Sequence, residues 1–345
     1  MDKLRLTVDP ALAAAIVVGS AVATAALIWL MKPWLIRYAM ARPNARSSHA
    51  TPTPQGGGIA IVLAVATVVA SSYWLGVAGF RTPWVFGLLV ALAALAIAGA
   101  IDDIRPQPVL PRLALQIAVA ALLMMTLPVE ARLLHFLPPL LESALLTIGL
   151  VWFINLTNFM DGIDWMTVVE VLPISITLAF LGMFGIVPQM SALLPLLLAL
   201  IGAVIGFAPS NAHVARLFMG DVGSLPIGAL VGWLLIVLAL SGHWEAALIL
   251  PLYYLADATI TLLRRAMAGE NVAQAHRGHF YQRAVQGGFT VPHVTNRVFQ
   301  LNVVLAVLAV ASVLSSKIYH RYALVGLAAV AVFVVLREFS RGRQP

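Results

Sequence analysis

The chain contains 345 residues, of which 61% are hydrophobic and 10% charged, with a net charge of +7 and no cysteine. A soluble domain is about 45–50% apolar and about 25% charged, so this chain has too few polar groups to cover its surface in water and must lie in a bilayer. The composition excludes a soluble cytoplasmic enzyme, a disordered tail and a disulfide-linked secreted module, and it leaves no thiol nucleophile or thiolate metal ligand.

Apolar segments long enough to cross a hydrocarbon core of about 30 Å, which takes about 20 residues, follow one another along the chain. Eleven of them can be placed, beginning near Ala11, Gly57, Trp84, Arg112, Leu141, Met166, Met190, Gly223, Ala246, Phe299 and Tyr322. The first runs to Met31, which is too long for a signal peptide. The sequence therefore predicts an all-α, polytopic membrane protein of about eleven transmembrane helices that forms a single domain over residues 1–345.

Lysine and arginine in alternate loops predict the orientation, because cytoplasmic loops carry an excess of them. With a periplasmic N-terminus, 15 of the 21 basic residues fall in cytoplasmic loops and the C-terminal tail, and the other 6 fall outside. We therefore expect a periplasmic N-terminus and a cytoplasmic C-terminus. On this topology the cytoplasmic loops that carry polar motifs span about 32–56, 102–112, 158–165, 208–223 and 264–298.

Five aspartates lie in the cytoplasmic connections after the third, fifth and seventh segments: Asp102, Asp103, Asp161, Asp164 and Asp221. Helix capping explains any single one of them about as well as a site does, but it explains all five poorly. Mg²⁺ prefers carboxylate oxygens together with substrate phosphates. The clustering on one face therefore predicts a shared site for a metal ion and phosphates.

The pair Asp102 and Asp103 ends an apolar helix, where the partial negative charge of the helix terminus repels carboxylates. That cost predicts a compensating cation. Such a pair either binds a divalent metal or has two pKa values far enough apart for one member to act as a base.

A run of polar residues spaced by three follows the fifth segment: Asn155, Asn158, Asp161 and Asp164. Because helical residues rotate by about 100° each, these four do not share one helical face. Asp161 and Gly162 instead indicate a turn, with both asparagines in the last helical turn and both aspartates beyond it. Asparagine amides suit recognition of a base or a sugar.

The stretch from Phe218 to Pro226 predicts a loop that leads into a helix N-terminus. Gly220 and Gly223 permit close backbone approach, and the N–H groups of the helix start can bind a phosphate oxygen. Asp221 would hold a metal ion against the same phosphate. The alternative is that Asp221 or Ser224 is only a helix cap.

Other polar residues admit two interpretations. His276, Arg277 and His279 offer donors for phosphate or nucleotide hydroxyls, although the segment alone is typical of a solvated basic loop. Asp257 and Glu170 are intramembrane acids and so functional candidates, or else buried partners of Arg264 or Arg265. For the three glycines at 56–58, helix packing is the favoured interpretation.

Taken together, the motifs resemble those of the polyprenyl-phosphate N-acetylhexosamine-1-phosphate transferases, glycosyltransferase family 4. The resemblance covers nearly the whole chain and is carried by Pro52-Thr-Pro-Gln-Gly-Gly-Gly58, Asp102-Asp103, Asn155-x-x-Asn-x-x-Asp-Gly-x-Asp, Gly220-Asp-x-Gly-Ser and His276-x-x-His. Arg46-Ser-Ser-His and the loop from His276 to Gln282 are more similar to the bacterial branch that initiates O-antigen or other surface polysaccharides than to the peptidoglycan translocase branch.

The resemblance implies an enzyme of the bacterial inner membrane, with ten or eleven transmembrane helices and a cytoplasmic active site. It would transfer a sugar 1-phosphate from a UDP-N-acetylhexosamine to undecaprenyl phosphate and release UMP, with Mg²⁺ or Mn²⁺ as cofactor. Nucleic acid is not expected as a partner, and a homodimer is compatible with the resemblance.

The same resemblance implies roles for individual residues. Asp221 would be the main metal ligand, and Asp102 and Asp103 would be catalytic, assisting the metal and deprotonating or orienting the lipid phosphate. Phe218 would stack on uracil. The other substrate-binding residues would be Asn155, Asn158, Asp161, Asp164, His276, Arg277 and His279.

This sequence departs from the family pattern at two positions. Trp165 stands where the family has a small glycine and is expected to crowd or reshape the nucleotide-sugar pocket, and Gln55 replaces a basic residue. The alternatives to the transferase are a peptidoglycan-type phospho-sugar translocase, a proton-coupled transporter that uses the acids as a relay, and a catalytically silent homologue that binds lipid phosphate.

Overall fold

The computed structural model describes residues 6–41, 52–77, 79–80, 82, 84–128, 130–271, 274 and 276–342. Residues 42–51, which include Arg46 and part of the predicted loop 32–56, lie outside these described residues. The helices are α1 (Pro10–Tyr38), α2 (Gly58–Trp74), α3 (Trp84–Ile104), α4 (Val109–Met125), α5 (Pro139–Met160), α6 (Met166–Met183), α7 (Pro188–Ala192), α8 (Leu194–Asn211), α9 (Asp221–Leu238), α10 (Trp244–Ile249), α11 (Leu252–Met267), α12 (Phe280–Gln286), α13 (Val291–Leu314) and α14 (Ile318–Arg341).

Two short elements complete the fold. A π-helical turn, Ala239–His243, joins α9 to α10, and the strands β1 (Met40–Ala41) and β2 (Thr53–Pro54) form an antiparallel ribbon. The ribbon fastens the chain that enters α2 beside the end of α1.

The helices confirm an all-α, polytopic membrane protein. Among the described residues, eight helical segments are long and apolar enough to cross a membrane, and α2 and α4 are shorter apolar helices. The predicted number of eleven spans and the orientation of the termini stay predictions.

The helices differ in how much of their surface lies against protein. The segment that begins with α9 is 89% buried over its most apolar window, whereas α1 is 22% buried and α14 is 28% buried. Trp29 and Trp34 of α1 are among the exposed apolar side chains. Helix α9 is therefore central, and the exposed apolar faces of α1 and α14 suit contact with lipid tails.

Two boundaries differ from the sequence prediction. The ninth predicted segment is divided between α10 and α11, because Pro251 lacks the N–H that would continue the helix. Helix α13 begins at Val291 rather than near Phe299, because Thr290 caps it by accepting a hydrogen bond from His293 N, 3.3 Å away. The apolar run alone did not show this polar first turn.

Glycines bring the backbones of α2, α3 and α9 into direct contact. A Cβ atom on Gly58 would lie 2.2 Å from Gly223 Cα, and one on Gly99 would lie 2.3 Å from the carbonyl oxygen of Asp221. Close packing is thus what Gly58 provides, in line with the interpretation favoured from the sequence. The start of α9 is held between α2 and the end of α3.

The Gly99 contact gives a test of this packing. We expect Gly99→Ala to destabilise the protein by about 1–3 kcal/mol, as overpacking does, and to separate α3 from α9. Gly149→Ala is the matched control, because nothing lies within 4 Å of its Cβ position and alanine is the better helix former. Thermal unfolding in detergent compares the two, and equal melting temperatures would contradict the close contact.

Trp165 adopts a left-handed backbone conformation, with φ 66° and ψ −3°, immediately before α6. Such a conformation costs a residue with a side chain roughly 1–2 kcal/mol. Two hydrogen bonds to α8 hold it there: Trp165 N donates to Asn211 Oδ1 (2.8 Å), and Nε1 donates to the carbonyl oxygen of Ala208 (2.7 Å). The tryptophan therefore occupies a backbone position that favours glycine.

Replacing Trp165 by glycine or by alanine separates the backbone strain from the loss of the indole. Both substitutions remove the indole, but only glycine relieves the left-handed strain. We expect Trp165→Gly to be more stable than Trp165→Ala by about 1 kcal/mol. Thermal unfolding in detergent measures the difference, and an alanine variant as stable as the glycine variant would refute the strain.

Candidate active site

A polar cavity of about 620 Å³ opens where α3, α5, α8 and α9 meet. Six of the residues predicted from the sequence line it: Asp103, Asn158, Asp161, Asp164, Phe218 and Asp221. The predicted turn is also present, since α5 ends at Met160 and Asp161 follows it. The three predicted loops therefore converge on one site.

Asp103 caps α9 from the end of α3. Its Oδ1 accepts a hydrogen bond from Asp221 N (2.9 Å), and its Oδ2 accepts one from Val222 N (3.1 Å). The expectation that these N–H groups bind a phosphate oxygen is therefore wrong, because a carboxylate from another helix already occupies them. The capping position itself is Gly220, which replaces the predicted alternatives Asp221 and Ser224.

Arg112 lies between two carboxylates. Its Nη1 is 2.6 Å from Asp102 Oδ2 and 3.6 Å from Asp221 Oδ2. Asn158 Nδ2 donates to Asp221 Oδ1 over 2.7 Å. The sequence predicted a compensating cation for Asp102 and Asp103. Arg112 of α4 supplies a positive charge beside Asp102.

Sequence reasoning missed Arg112 as a site residue and counted it only toward topology. The available signal was its position in the first turn of an apolar helix, ten residues after Asp102. Its Nε is buried without a hydrogen-bond partner, so the guanidinium still has a donor to offer.

Asp161 is surrounded by other groups of the site. It accepts a hydrogen bond from Thr167 Oγ1 over 2.5 Å. Burial, followed by the negative charges of Asp103 and Asp164, raises the pKa of Asp161 to about 7. Its carboxyl group therefore changes charge close to neutral pH.

Asp164 is bound to a histidine that the sequence analysis did not single out. His213 Nδ1 lies 2.7 Å from Asp164 Oδ2, which also accepts a hydrogen bond from Ala215 N over 3.1 Å. The side chain of His213 is 40% exposed and lines the cavity, whereas that of Asp164 is 10% exposed. The only sequence signal was the polar pair Asn211 and His213 within the predicted loop 208–223.

Asn155 lies outside the cavity lining. Its Nδ2 donates to Gln116 Oε1 (2.7 Å) and to the carbonyl oxygen of Val151 (2.8 Å). Helical rotation between positions 155 and 158 turns this amide toward α4. Its predicted role in substrate binding stays a prediction.

His276, Arg277 and His279 also lie outside the cavity lining, although Gln282, at the end of the same loop, is part of it. His279 is buried, and His276 stacks on it with ring centroids 4.8 Å apart. Burial, followed by the positive charges of His279 and Arg265, lowers the pKa of His276 to about 4. His276 is therefore neutral at pH 7, and its Nδ1 accepts a hydrogen bond from Gly278 N. The predicted substrate contacts of His276, Arg277 and His279 stay predictions.

Asp257 fastens this loop to α11. It accepts hydrogen bonds from Phe280 N (2.9 Å) and Tyr281 N (3.2 Å), and it lies 3.2 Å from His279 Nδ1. Tyr281 in turn donates to the carbonyl oxygen of Phe159, next to the aspartate turn. Asp257 thus positions α12 against the site.

The alternative that the intramembrane acids pair with Arg264 or Arg265 is wrong. Arg264 lies over the ring of Phe280, and Arg265 pairs with Glu270. Asn302 Nδ2 donates to Glu170 over 2.7 Å. Both arginines contact residues nearer the polar end of α11. Asp257 and Glu170 instead accept hydrogen bonds from backbone N–H groups and from the amide of Asn302.

Removing the Asp257 carboxylate leaves two backbone N–H groups without an acceptor. We expect Asp257→Ala to cost about 3 kcal/mol or more, since each unsatisfied buried group costs about 1–3 kcal/mol, and to expose the loop to trypsin at Arg277. Glu270→Ala is the control, because that acid is 55% exposed. Melting temperature and cleavage rate in detergent report both effects, and equal behaviour of the two variants would contradict the positioning role.

An apolar cavity of about 940 Å³ adjoins the site between α6, α8 and α13. The two cavities share Asp164 and His213. The indole of Trp165 lines the apolar cavity and is absent from the lining of the polar one. The indole therefore occupies space in the neighbouring apolar cavity and does not crowd the polar cavity directly.

Carboxylates and one arginine, gathered at the ends of membrane helices, define an integral membrane protein suited to phosphorylated substrates. The comparisons with known proteins agree with that class. Glycosyl transferase family 4 matches residues 85–239, a stretch that contains Arg112 and all five predicted aspartates. This match supports the resemblance of the chain to the polyprenyl-phosphate N-acetylhexosamine-1-phosphate transferases.

Individual relatives agree. The chain is 29% identical over 286 residues to the decaprenyl-phosphate N-acetylglucosaminephosphotransferase of Mycolicibacterium smegmatis, covering 72% of this chain and 69% of the relative. It is 25% identical over 267 residues to a protein of Bacillus subtilis named "Probable undecaprenyl-phosphate N-acetylglucosaminyl 1-phosphate transferase", covering 73% and 71%. The phospho-N-acetylmuramoyl-pentapeptide-transferase of Streptococcus thermophilus is 38% identical over 113 residues, or 33% of this chain and 32% of the relative.

Proposed function

We propose that this protein transfers an N-acetylhexosamine 1-phosphate from a UDP-sugar to undecaprenyl phosphate, forming undecaprenyl-diphosphate-sugar and releasing UMP. The observation that carries the proposal is the convergence of Asp103, Asp161 and Asp221 on one cavity, with Arg112 between Asp102 and Asp221 beside it. A guanidinium placed in this way binds phosphate oxygens. The apolar surface around the site suits an acceptor whose long chain stays in the bilayer.

The reaction is a phosphoryl transfer, in which positioning and charge neutralisation supply most of the catalysis. An oxygen of the lipid phosphate bonds to the phosphorus that carries the sugar, and the bond from that phosphorus to the UMP oxygen breaks. Arg112 would hold phosphate oxygens, and Asp102 would orient Arg112 and the lipid phosphate. Asp103 would position α9 and Asp221, since both its oxygens accept backbone hydrogen bonds.

The residues present suit Mg²⁺ or Mn²⁺. Asp102 and Asp221 bring two carboxyl groups to either side of Arg112 Nη1, and Mg²⁺ is commonly bound by one or two carboxylates plus substrate phosphates. The part of the chain that the structure describes contains no group of three or more His, Asp or Glu that could hold a metal ion, so substrate phosphates would complete the coordination. When bound, the ion would neutralise charge on the transferred phosphate.

The pattern of relatives supports an N-acetylhexosamine as the transferred sugar. The relatives matched over about 70% of their length are named for N-acetylglucosamine phosphate transfer, whereas the muramoyl-pentapeptide relative is matched over a third. Initiation of O-antigen or a related surface polysaccharide, at the cytoplasmic face of the bacterial inner membrane, belongs to the same proposal. It is supported by the resemblance of the loop from His276 to Gln282.

The direct test supplies purified protein with undecaprenyl phosphate, Mg²⁺ and a panel of UDP-N-acetylhexosamines. We expect UMP and a lipid-diphosphate-sugar with at least one donor, and loss of product when EDTA removes the metal. No product with any donor would overturn the proposal and favour the silent lipid-phosphate-binding homologue.

Two substitutions test the placement of the chemistry. We expect Asp221→Asn and Asp102→Asn to lower turnover by at least about 100-fold, the scale of losing one group that stabilises transition-state charge, while the melting temperature changes little. Glu130→Gln, in an exposed loop, is the control and should retain activity. Near-normal rates in either aspartate variant would show that the site lies elsewhere.

A further inference from the structure

Glu170 is a buried acid on α6 that the proposed chemistry does not use. It is 1% exposed, and none of the ion pairs among the described residues includes it. A charged side chain at such a position is costly unless another charge pairs with it or a proton neutralises it. Glu170 therefore needs either a cation or a proton.

Asn302 of α13 meets Glu170 at a break in the hydrogen bonds of α6. Pro173 has no N–H, so the carbonyl oxygen of Val169, four residues earlier, lacks its usual helical donor. Asn302 Nδ2 donates to that carbonyl oxygen (2.9 Å) and also to Glu170 Oε2 (2.7 Å). Because both acceptors need a donor, the orientation of the amide is fixed. Asn302 thus ties α13 to α6 at two adjacent residues.

Three buried oxygen atoms beside this contact have no hydrogen-bond partner: Glu170 Oε1, Asn302 Oδ1 and the hydroxyl oxygen of Tyr254. Tyr254 lies on α11, is fully buried and feels the charge of Glu170. An ionised carboxylate and an amide oxygen only accept hydrogen bonds, so the tyrosine hydroxyl is one donor for two acceptors. A proton on Glu170 supplies a second donor and also removes the unpaired charge.

Helix α6 carries this contact and a group of the candidate active site on successive turns. Thr167 lies three residues before Glu170, on the same side of the helix. Its hydroxyl donates to Asp161 over 2.5 Å, and the side chain is buried. The charge of Asp161 also reaches Tyr254. The position of α6 against α13 therefore decides whether Thr167 reaches Asp161.

We infer that Glu170 is an uncharged, proton-bearing acid and that its contact with Asn302 holds the first turn of α6 in place. Both side chains are positioning residues, which act on Asp161 through Thr167. The proton is favoured over a metal ion because hard cations such as Mg²⁺ take about six oxygen ligands, whereas three oxygens are left here. The effect on Asp161 rests on the proposed function, but the proton on Glu170 does not.

Infrared spectroscopy of the full-length protein in detergent tests the proton. We expect the wild-type spectrum at pH 7 to contain a carboxylic-acid carbonyl band that Glu170→Gln lacks. Glu130→Gln, in an exposed loop, is the control and should keep the band. A band of equal strength in Glu170→Gln would mean that Glu170 is ionised. A melting temperature that rises with sodium or potassium ions in wild type, but not in Glu170→Gln, would assign a cation to the site and overturn the proton.

Thermal unfolding in detergent tests the contact between α6 and α13. Glu170→Met or Asn302→Leu alone leaves the other side chain short of a partner, and we expect each to lower the melting temperature by roughly 4 °C or more. The double variant should recover most of that loss, because an apolar pair of similar size removes both unsatisfied side chains. Gln300→Leu, at an exposed position of α13, is the matched control. Additive losses would contradict the contact.

Turnover of the UDP-sugar tests the positioning of Asp161. We expect Thr167→Val, which removes the hydrogen bond to Asp161, to lower kcat by roughly tenfold. Asn302→Leu should lower kcat by no more than that, and the combination of the two should be no worse than Thr167→Val alone, because both changes act on one contact. Multiplied losses would overturn the route through Thr167.

The conservative variant separates positioning from chemistry. Glu170→Gln stays uncharged and still accepts from Asn302, so we expect it to keep the wild-type kcat. A loss of turnover in Glu170→Gln would give the acid itself a part in the reaction and would overturn its positioning role. Failure of the proposed function is a separate result, since wild-type protein would then turn over no UDP-sugar. The infrared and unfolding experiments still decide the state of Glu170 in that case.

Discussion

The carboxylate of Asp103 on the N-terminus of α9 is the contact on which the site depends. Helix α3 ends with negative side chains, which its own dipole disfavours, and α9 begins with N–H groups that need an acceptor. The contact between the end of α3 and the start of α9 offsets the repulsion between the carboxylate and the α3 dipole, and it gives the α9 N–H groups an acceptor. This contact is possible because Gly99, which has no side chain, allows α3 to approach the backbone of α9. The contact also places Asp221 near Asp102.

Each of the five site aspartates has a partner that offsets the repulsion of its neighbours. Asp102 has Arg112, Asp103 has the end of α9, Asp161 has Thr167, Asp164 has His213 and Asp221 has Asn158. Only one of these partners, Arg112, carries a permanent positive charge. A substrate with two or more phosphates would add further negative charge, so the clustered aspartates support the proposal that a divalent cation enters together with the substrate.

The sequence predicted the helices and the convergence of three loops because apolar length and turn residues are local signals. It missed Arg112 and His213 because neither belongs to a motif, and the partner of His213, Asp164, is 49 residues away in the chain. The hydrogen bond from Asp221 N to Asp103 joins positions 118 residues apart in the chain, and no local sequence pattern indicates such a contact. Asn155 was included by its spacing, but helical rotation directs its amide to Gln116.

The surroundings of Arg112 and of His213 are built in different ways. The Arg112 end rests on direct backbone contacts among α2, α3 and α9, where an added Cβ has no room. The His213 end rests on side-chain hydrogen bonds among the 208–217 segment, Asp164 and the strained Trp165. Substitutions are therefore tolerated better at the His213 end. A change there leaves the backbone contacts among α2, α3 and α9 in place.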